Sequence, residues 1–238
     1  MMVIQAALNG ARSAADGTAV PLSPAGLAAS AAAAAAAGAH EVQVRPKTPC
    51  GRDSLSPRVL GPLLAELRSG TSLPVGVDAY TGGDRVAEWT VLPERAAVDW
   101  ALPDAEELAR LLLGRGVAVE AVVRSGTGAA ARFLGSPLRG RVLRIVAEVA
   151  EPDPARAPGA ARDLLAALGS RGGRPVLVHG SGRAAWPVLR TAARLGLDVR
   201  TGLADTLELP SGARAASNAE LVAAAVTVVH AERPAPGR

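Results

Sequence analysis

Short β-branched runs alternate with longer helix-patterned segments along all 238 residues, and this alternation restricts the fold more than any other feature. Val3–Leu8, Glu41–Val44, Pro74–Val77, Ala96–Trp100, Ala118–Val122, Val142–Val146, Pro175–Val178 and Asp198–Thr201 read as strands. Helical patterns fall near Ser23–Ala37, Pro57–Arg68, Asp84–Thr90, Asp104–Arg115, Gly128–Leu134, Gly159–Leu168, Arg183–Leu195 and Ser217–Ala231. Eight strand–helix units in a chain of this length predict a single-domain α/β fold, a closed (β/α)8 TIM barrel over residues 1–233. Residues 234–238 are expected to be a disordered tail. A doubly wound open sheet satisfies the same alternation. The strands read as apolar on both faces, as parallel strands covered by helices are.

Composition removes several function classes. Cys50 is the only cysteine, so an internal disulfide is impossible. Three Trp, one Tyr and one Phe are too few for a base-stacking groove, and the net charge is only +4, so no nucleic-acid partner is expected. The alanine-rich stretch Gly26–Gly38 falls short of the roughly 20 residues that span a bilayer. Pro24 and Gly38 mark it instead as a helix, because alanine has the highest helix propensity. With no basic leader before an apolar run, the chain is expected in the cytoplasm and away from membranes.

Chemistry in such a barrel belongs at the carboxyl ends of the strands. Asn9-Gly10-Ala11-Arg12 follows strand one, and Gln43-Val44-Arg45-Pro46-Lys47 closes strand two. Gln43 and Arg45, two apart on a strand, share a face. Strand three leads into Tyr80-Thr81-Gly82-Gly83, and strand five carries Glu120. Strand seven runs into His179-Gly180-Ser181-Gly182-Arg183, and strand eight into Arg200 and then Gly202-Leu203-Ala204-Asp205-Thr206. Taken singly, each has a structural reading. Asp205 caps a turn or pairs with Arg200, Glu120 pairs with a neighbouring arginine, and His179 is a hydrogen-bonded barrel residue. The Gly180–Arg183 loop is a tight turn, or a backbone cradle for an anion with Arg183 adding charge. The charges of Arg139–Arg144 read as solvated.

In order and spacing these segments resemble the β-keto acid cleavage enzymes, also called 3-keto-5-aminohexanoate cleavage enzymes. The resemblance runs from Ala6-Ala7-Leu8-Asn9-Gly10-Ala11-Arg12 through Val20-Pro21-Leu22-Ser23-Pro24, Gly51-Arg52-Asp53-Ser54-Leu55 and Thr81-Gly82-Gly83 to Asn218-Ala219-Glu220-Leu221-Val222. It implies a (β/α)8 barrel that splits a β-keto acid, with acetyl-CoA as co-substrate, into an acetoacetate and a new acyl-CoA. It also implies a homo-oligomer. The family polarises the keto group with zinc, held by a His-x-His pair on strand two and a Glu after strand eight. Here those positions fall on Gln43, Arg45 and Ala204, so no zinc is expected. Asp205 and Arg200 match the family's base and its supporting arginine and are the expected catalytic pair, Asp205 acting through water. Arg45, Lys47, Tyr80, Thr81, Gly82 and Glu120 are expected at the substrate. Tyr80 replaces a family Ser, and Lys47, the only lysine, a family Arg. Gly180, Ser181, Gly182 and Arg183 are expected at the CoA phosphates or pantetheine arm. Two functions stay open: an enzyme still acting on a β-keto acid, with Arg45 standing in for the cation, and an inactive barrel. The inactive barrel binds a small carboxylate or acyl-CoA-type anion with a basic rim of Arg12, Arg45, Lys47 and Arg200, or scaffolds a partner.

Overall fold

The computed structural model describes residues 2–79, 83–169 and 173–232. Eight parallel strands close into a barrel in chain order: β1 (Ile4–Ala7), β2 (Glu41–Val44), β3 (Val75–Asp78), β4 (Arg95–Asp99), β5 (Ala118–Arg124), β6 (Arg144–Val149), β7 (Val176–Gly180) and β8 (Asp198–Thr201). Pairing of Ile4 with Val199 and of Ala6 with Thr201 joins β8 to β1, which excludes the open sheet. The helices are α1 (Pro24–Ala36), α2 (Pro57–Gly70), α3 (Gly83–Ala87), α4 (Ala105–Gly114), α5 (Ala129–Gly135), α6 (Ala157–Leu168), α7 (Ala185–Arg194) and α8 (Asn218–Glu232). No helix among the described residues is long and apolar enough to cross a membrane.

The outer faces of the strands build the main core. Val42 and Val44, Val75 and Val77, and Val119, Ala121 and Val123 point outward in period two onto the helices. They meet apolar helix stripes such as Leu60, Leu63, Leu64 and Leu67 of α2. Each such side chain contributes about 1.5–3 kcal/mol on burial.

The inner faces differ from the expectation of strands apolar on both sides. Among the described residues, Ala97, Val122, Val146 and Leu177 form the apolar layer inside the barrel. Below them, at the amino-terminal ends of the strands, lie Gln5, Glu41, Arg95, Glu120 and Arg144, all buried. Above them lie Asp99, Arg124, Glu148 and His179, each two residues beyond a member of the apolar layer on its own strand. Charge is tolerated there because closure brings opposite signs together. Arg95 Nη1 lies 2.9 Å from Glu41 Oε2, and its Nε 3.3 Å from Glu120 Oε1. Arg144 Nη2 donates to both Glu41 and Glu120, and Gln5 Nε2 donates to Glu41 at 3.0 Å. Burial opposes charge on Arg144, but Glu120 and Glu41 outweigh it and raise the pKa of the guanidinium. The reading of Arg144 as solvated is therefore wrong. It opens β6, two residues later than expected, because an inward charge, and not the apolar Val142, starts the strand.

The β1–β8 seam also positions the loop after β8. Ala204 N donates to Ala7 O at 3.1 Å, and Leu203 N to Asn218 Oδ1 at 2.8 Å. Asn218 Nδ2 in turn reaches Leu8 O at 2.9 Å. Gly202 has φ +151°, and a Cβ there would stand 2.1 Å from Ala7 O. Backbone cannot give way as a side chain can, so Gly202→Ala is expected to lose about 2–3 kcal/mol in urea unfolding. A loss below about 1 kcal/mol would contradict this reading of the seam.

Candidate functional site

Asp205 is buried on the loop after β8, at the barrel's carboxyl end. Arg200 donates to both its oxygens, from Nη2 to Oδ1 at 2.7 Å and from Nε to Oδ2 at 3.1 Å. His179 Nδ1, from β7, lies 3.3 Å from the same Oδ1, although neither imidazole nitrogen completes a hydrogen bond. Burial pushes the carboxyl pKa up, but Arg200 and His179 together outweigh it and hold Asp205 ionised well below the usual carboxylate range.

Gln43 and Arg45 converge from β2 on Asp78, the last residue of β3. Gln43 Nε2 donates to Asp78 Oδ1 at 2.8 Å, and Arg45 Nε to Oδ2 at 3.1 Å. The amide lies over Gly76, where a Cβ would stand 1.9 Å from Gln43 Oε1. Asn9 fixes the strand end by clasping the Arg45 backbone, with Nδ2 to O and N to Oδ1 both 2.9 Å. Arg45 also reaches Asp53 at 3.4 Å, and buried Lys47 pairs with the same carboxylate at 2.5 Å. Zinc does not fit these residues. A guanidinium and an amide already committed to Asp78 offer no ligand set, and Ala204 offers only a methyl group, packed against Gly10. Among the described residues no group of three His, Cys, Asp or Glu side chains is placed to hold a metal ion.

A third charged cluster completes the upper layer: Arg124 lies 3.2 Å from Glu148 and 3.5 Å from Asp99. The expected basic rim is thus matched by acids. Arg12 pairs with Asp16, Arg45 with Asp78 and Asp53, Lys47 with Asp53, and Arg200 with Asp205. Glu120 stands apart from the other predicted site residues, in the floor between Arg95 and Arg144. Tyr80, Thr81 and Gly82 lie outside the described residues.

The loop after β7 uses its amides internally. Ser181 N donates to Val149 O at 3.1 Å, Gly182 N to Asp205 O at 2.7 Å, and Ala184 N to Ser181 O at 3.2 Å. Exposed Arg183 borders a cleft of about 420 Å³ with Trp186, Arg190 and Arg194 of α7. A larger cavity, about 840 Å³, lies between the loops after β1 and β2 and is lined by Ser13, Ser23, Lys47, Cys50 and Arg58 among others. Cys50 is exposed there, with Thr48 Oγ1 3.1 Å from its Sγ. That contact, followed by Arg52, draws the thiol down to about 7. Iodoacetamide alkylation is expected to rise with a midpoint near that pH; a midpoint near 9, its ordinary value, would contradict the assignment.

The β-keto acid cleavage enzyme family matches residues 1–135 and 140–235. The chain belongs to that family. No curated protein matches it. Among solved structures, this β-keto acid cleavage enzyme family member is similar to a type I 3-dehydroquinate dehydratase from Clostridium difficile. The identity is 11%, covering 97% of this chain and 93% of the other, with TM-score 0.61. It is also similar to Yersinia pestis dihydropteroate synthase, at 14% identity, 97% and 92% coverage and TM-score 0.61. The carboxyl transferase domain of Rhizobium etli pyruvate carboxylase gives 14% identity, 84% and 40% coverage and TM-score 0.60. At these identities the likeness concerns the barrel alone.

Sequence reading missed Asp78, Asp99, Arg124 and Glu148. A signal for most of them is present as a period-two charge pattern: Arg95-x-Ala97-x-Asp99, Glu120-x-Val122-x-Arg124 and Arg144-x-Val146-x-Glu148. Each places two charges and one apolar side chain on the inner face.

Proposed function

We propose that this family member acts on a β-keto acid or closely related carboxylate without zinc at the family's ligand positions, with acetyl-CoA as co-substrate. The observation that carries this reading is the intact Asp205–Arg200 unit, two-pronged and buried at the mouth. A carboxylate held ionised beside a guanidinium supplies a fixed negative charge at the reacting centre and a fixed positive one for a developing oxyanion. Arg45 is the second cation at the mouth and the stand-in for the family's metal, with Lys47 behind it. Tyr80, Thr81 and Gly82 are proposed at the substrate as well. Arg183 and the neighbouring α7 arginines offer charge to CoA phosphates along the cleft beside Gly180, Ser181 and Gly182. The protein is proposed to work as a homo-oligomer in the cytoplasm.

A second reading, binding without turnover, draws support from the engagement of Arg45 by Asp78 and Asp53. Incubation with acetyl-CoA and a panel of β-keto acids, with new acyl-CoA followed by mass, separates the two. Product formation is expected; carboxylate binding by calorimetry without product would leave the binding reading. Metal analysis of the purified protein is expected to show well under one equivalent of zinc. One equivalent lost on Gln43→Ala would overturn the metal-free proposal.

A further inference from the structure

His179 sits on the next-to-last residue of β7, with its side chain directed into the barrel above Leu177 and its ring almost fully buried. Nδ1 faces Asp205 Oδ1 at 3.3 Å, whereas Nε2 has no hydrogen-bond partner among the described residues. A buried polar atom left unpaired forfeits the hydrogen bonds it makes to water, so an orphan at the chemical end of a barrel needs an explanation. Asp205 itself makes a weak proton acceptor, because both its oxygens are already held by Arg200. A carboxylate facing Nδ1 favours a proton on that nitrogen, which leaves the lone pair on Nε2. Asp205, Arg200 and, by strand register, Glu148 are the charged groups around it.

We infer that His179 Nε2 is the atom that takes the substrate proton, with Asp205 orienting the ring and stabilising the imidazolium. This rests on the reading above that the mouth binds a β-keto carboxylate. In the step, the C–H bond between the keto and carboxylate carbons breaks and the proton forms an N–H bond at Nε2. The electron pair moves onto the keto oxygen as an enolate, which Arg200 is placed to stabilise, and the proton is returned when that carbon or oxygen is reprotonated. His179 is thereby a catalytic residue and Asp205 its positioning partner.

The chain holds only three histidines, which makes the assignment measurable in the intact protein. His40 Nδ1 accepts from Ile4 N at 3.1 Å, and exposed His230 lies near the end of α8, so nitrogen-15 imidazole spectra distinguish them from His179. The free protein is expected to show His179 as the Nδ1–H tautomer, and saturating acetoacetate is expected to shift its Nε2 resonance while acetate does not. His179→Gln is expected to lower kcat by about 10²–10⁴-fold with KM changed less than threefold. An Nε2–H tautomer in the wild-type protein overturns the inference whether or not the variant folds. Acetoacetate bound by calorimetry with the Nε2 signal unmoved overturns it and leaves the β-keto acid reading standing. No acetoacetate binding at all overturns both.

Discussion

Replacing Arg144 with methionine is expected to destabilise the fold by about 3–5 kcal/mol, the cost of removing one partner from a buried ion pair. Arg144 is shared by Glu41 and Glu120, and its loss leaves two carboxylates facing Arg95 as the one remaining cation among the described residues. At roughly 2–4 °C per kcal/mol for a domain of this size, the melting temperature is expected to fall by on the order of 10 °C. The size of the effect comes from burial: the same pair on the surface contributes about 0–1 kcal/mol. The double variant Glu120→Gln with Arg144→Met is expected to be less damaging than the sum of the singles, because it removes one charge of each sign. A melting temperature within 2 °C of wild type for Arg144→Met would show that the floor does not depend on this arginine.

Asp205→Asn is expected to reduce acyl-CoA formation by at least about 10³-fold, in the range seen when the orienting carboxylate of a catalytic histidine is made an amide. The amide keeps the shape of the side chain but loses the charge that Arg200 and His179 face. Unchanged turnover would remove Asp205 from the chemistry. The same carboxylate contributes to stability with a defined sign. Its folded pKa is depressed, so its contribution is complete above the unfolded value of about 4 and is lost as pH falls toward the folded one. Acid unfolding of Asp205→Asn is therefore expected to show a shallower dependence on pH below about 4 than the wild-type protein.

The candidate site was legible in uneven measure. Asp205 and Arg200 are five residues apart on one strand and its loop, so a local pattern finds both, and the structure pairs them. Gln43 and Arg45 were legible as neighbours on one strand face. Their partner Asp78 was not, because it is 35 residues from Gln43 and 33 from Arg45 and meets them only through the β2–β3 pairing. Glu120 and Arg144 show the converse. Glu120 reads either as a substrate contact or as the partner of a neighbouring arginine, and Arg144 as solvated; the floor they form with Glu41 exists only because residues 103 apart are brought together by closure. His179 reads from sequence as one more satisfied barrel residue; its unpartnered Nε2 is visible only with Asp205 and Arg200 in place.

The sequence by itself determined the eight-fold alternation and the outward apolar stripes. These are properties of residue type and spacing along the chain, and period two or 3.6 is set by backbone geometry within a few residues. Tertiary structure alone decided which inward charges neutralise one another and which buried polar atoms, His179 Nε2 among them, are left without a hydrogen bond among the described residues. Hydrogen bonds and ion pairs act over about 3–4 Å, and closing the barrel is what brings strands from opposite parts of the chain within that distance.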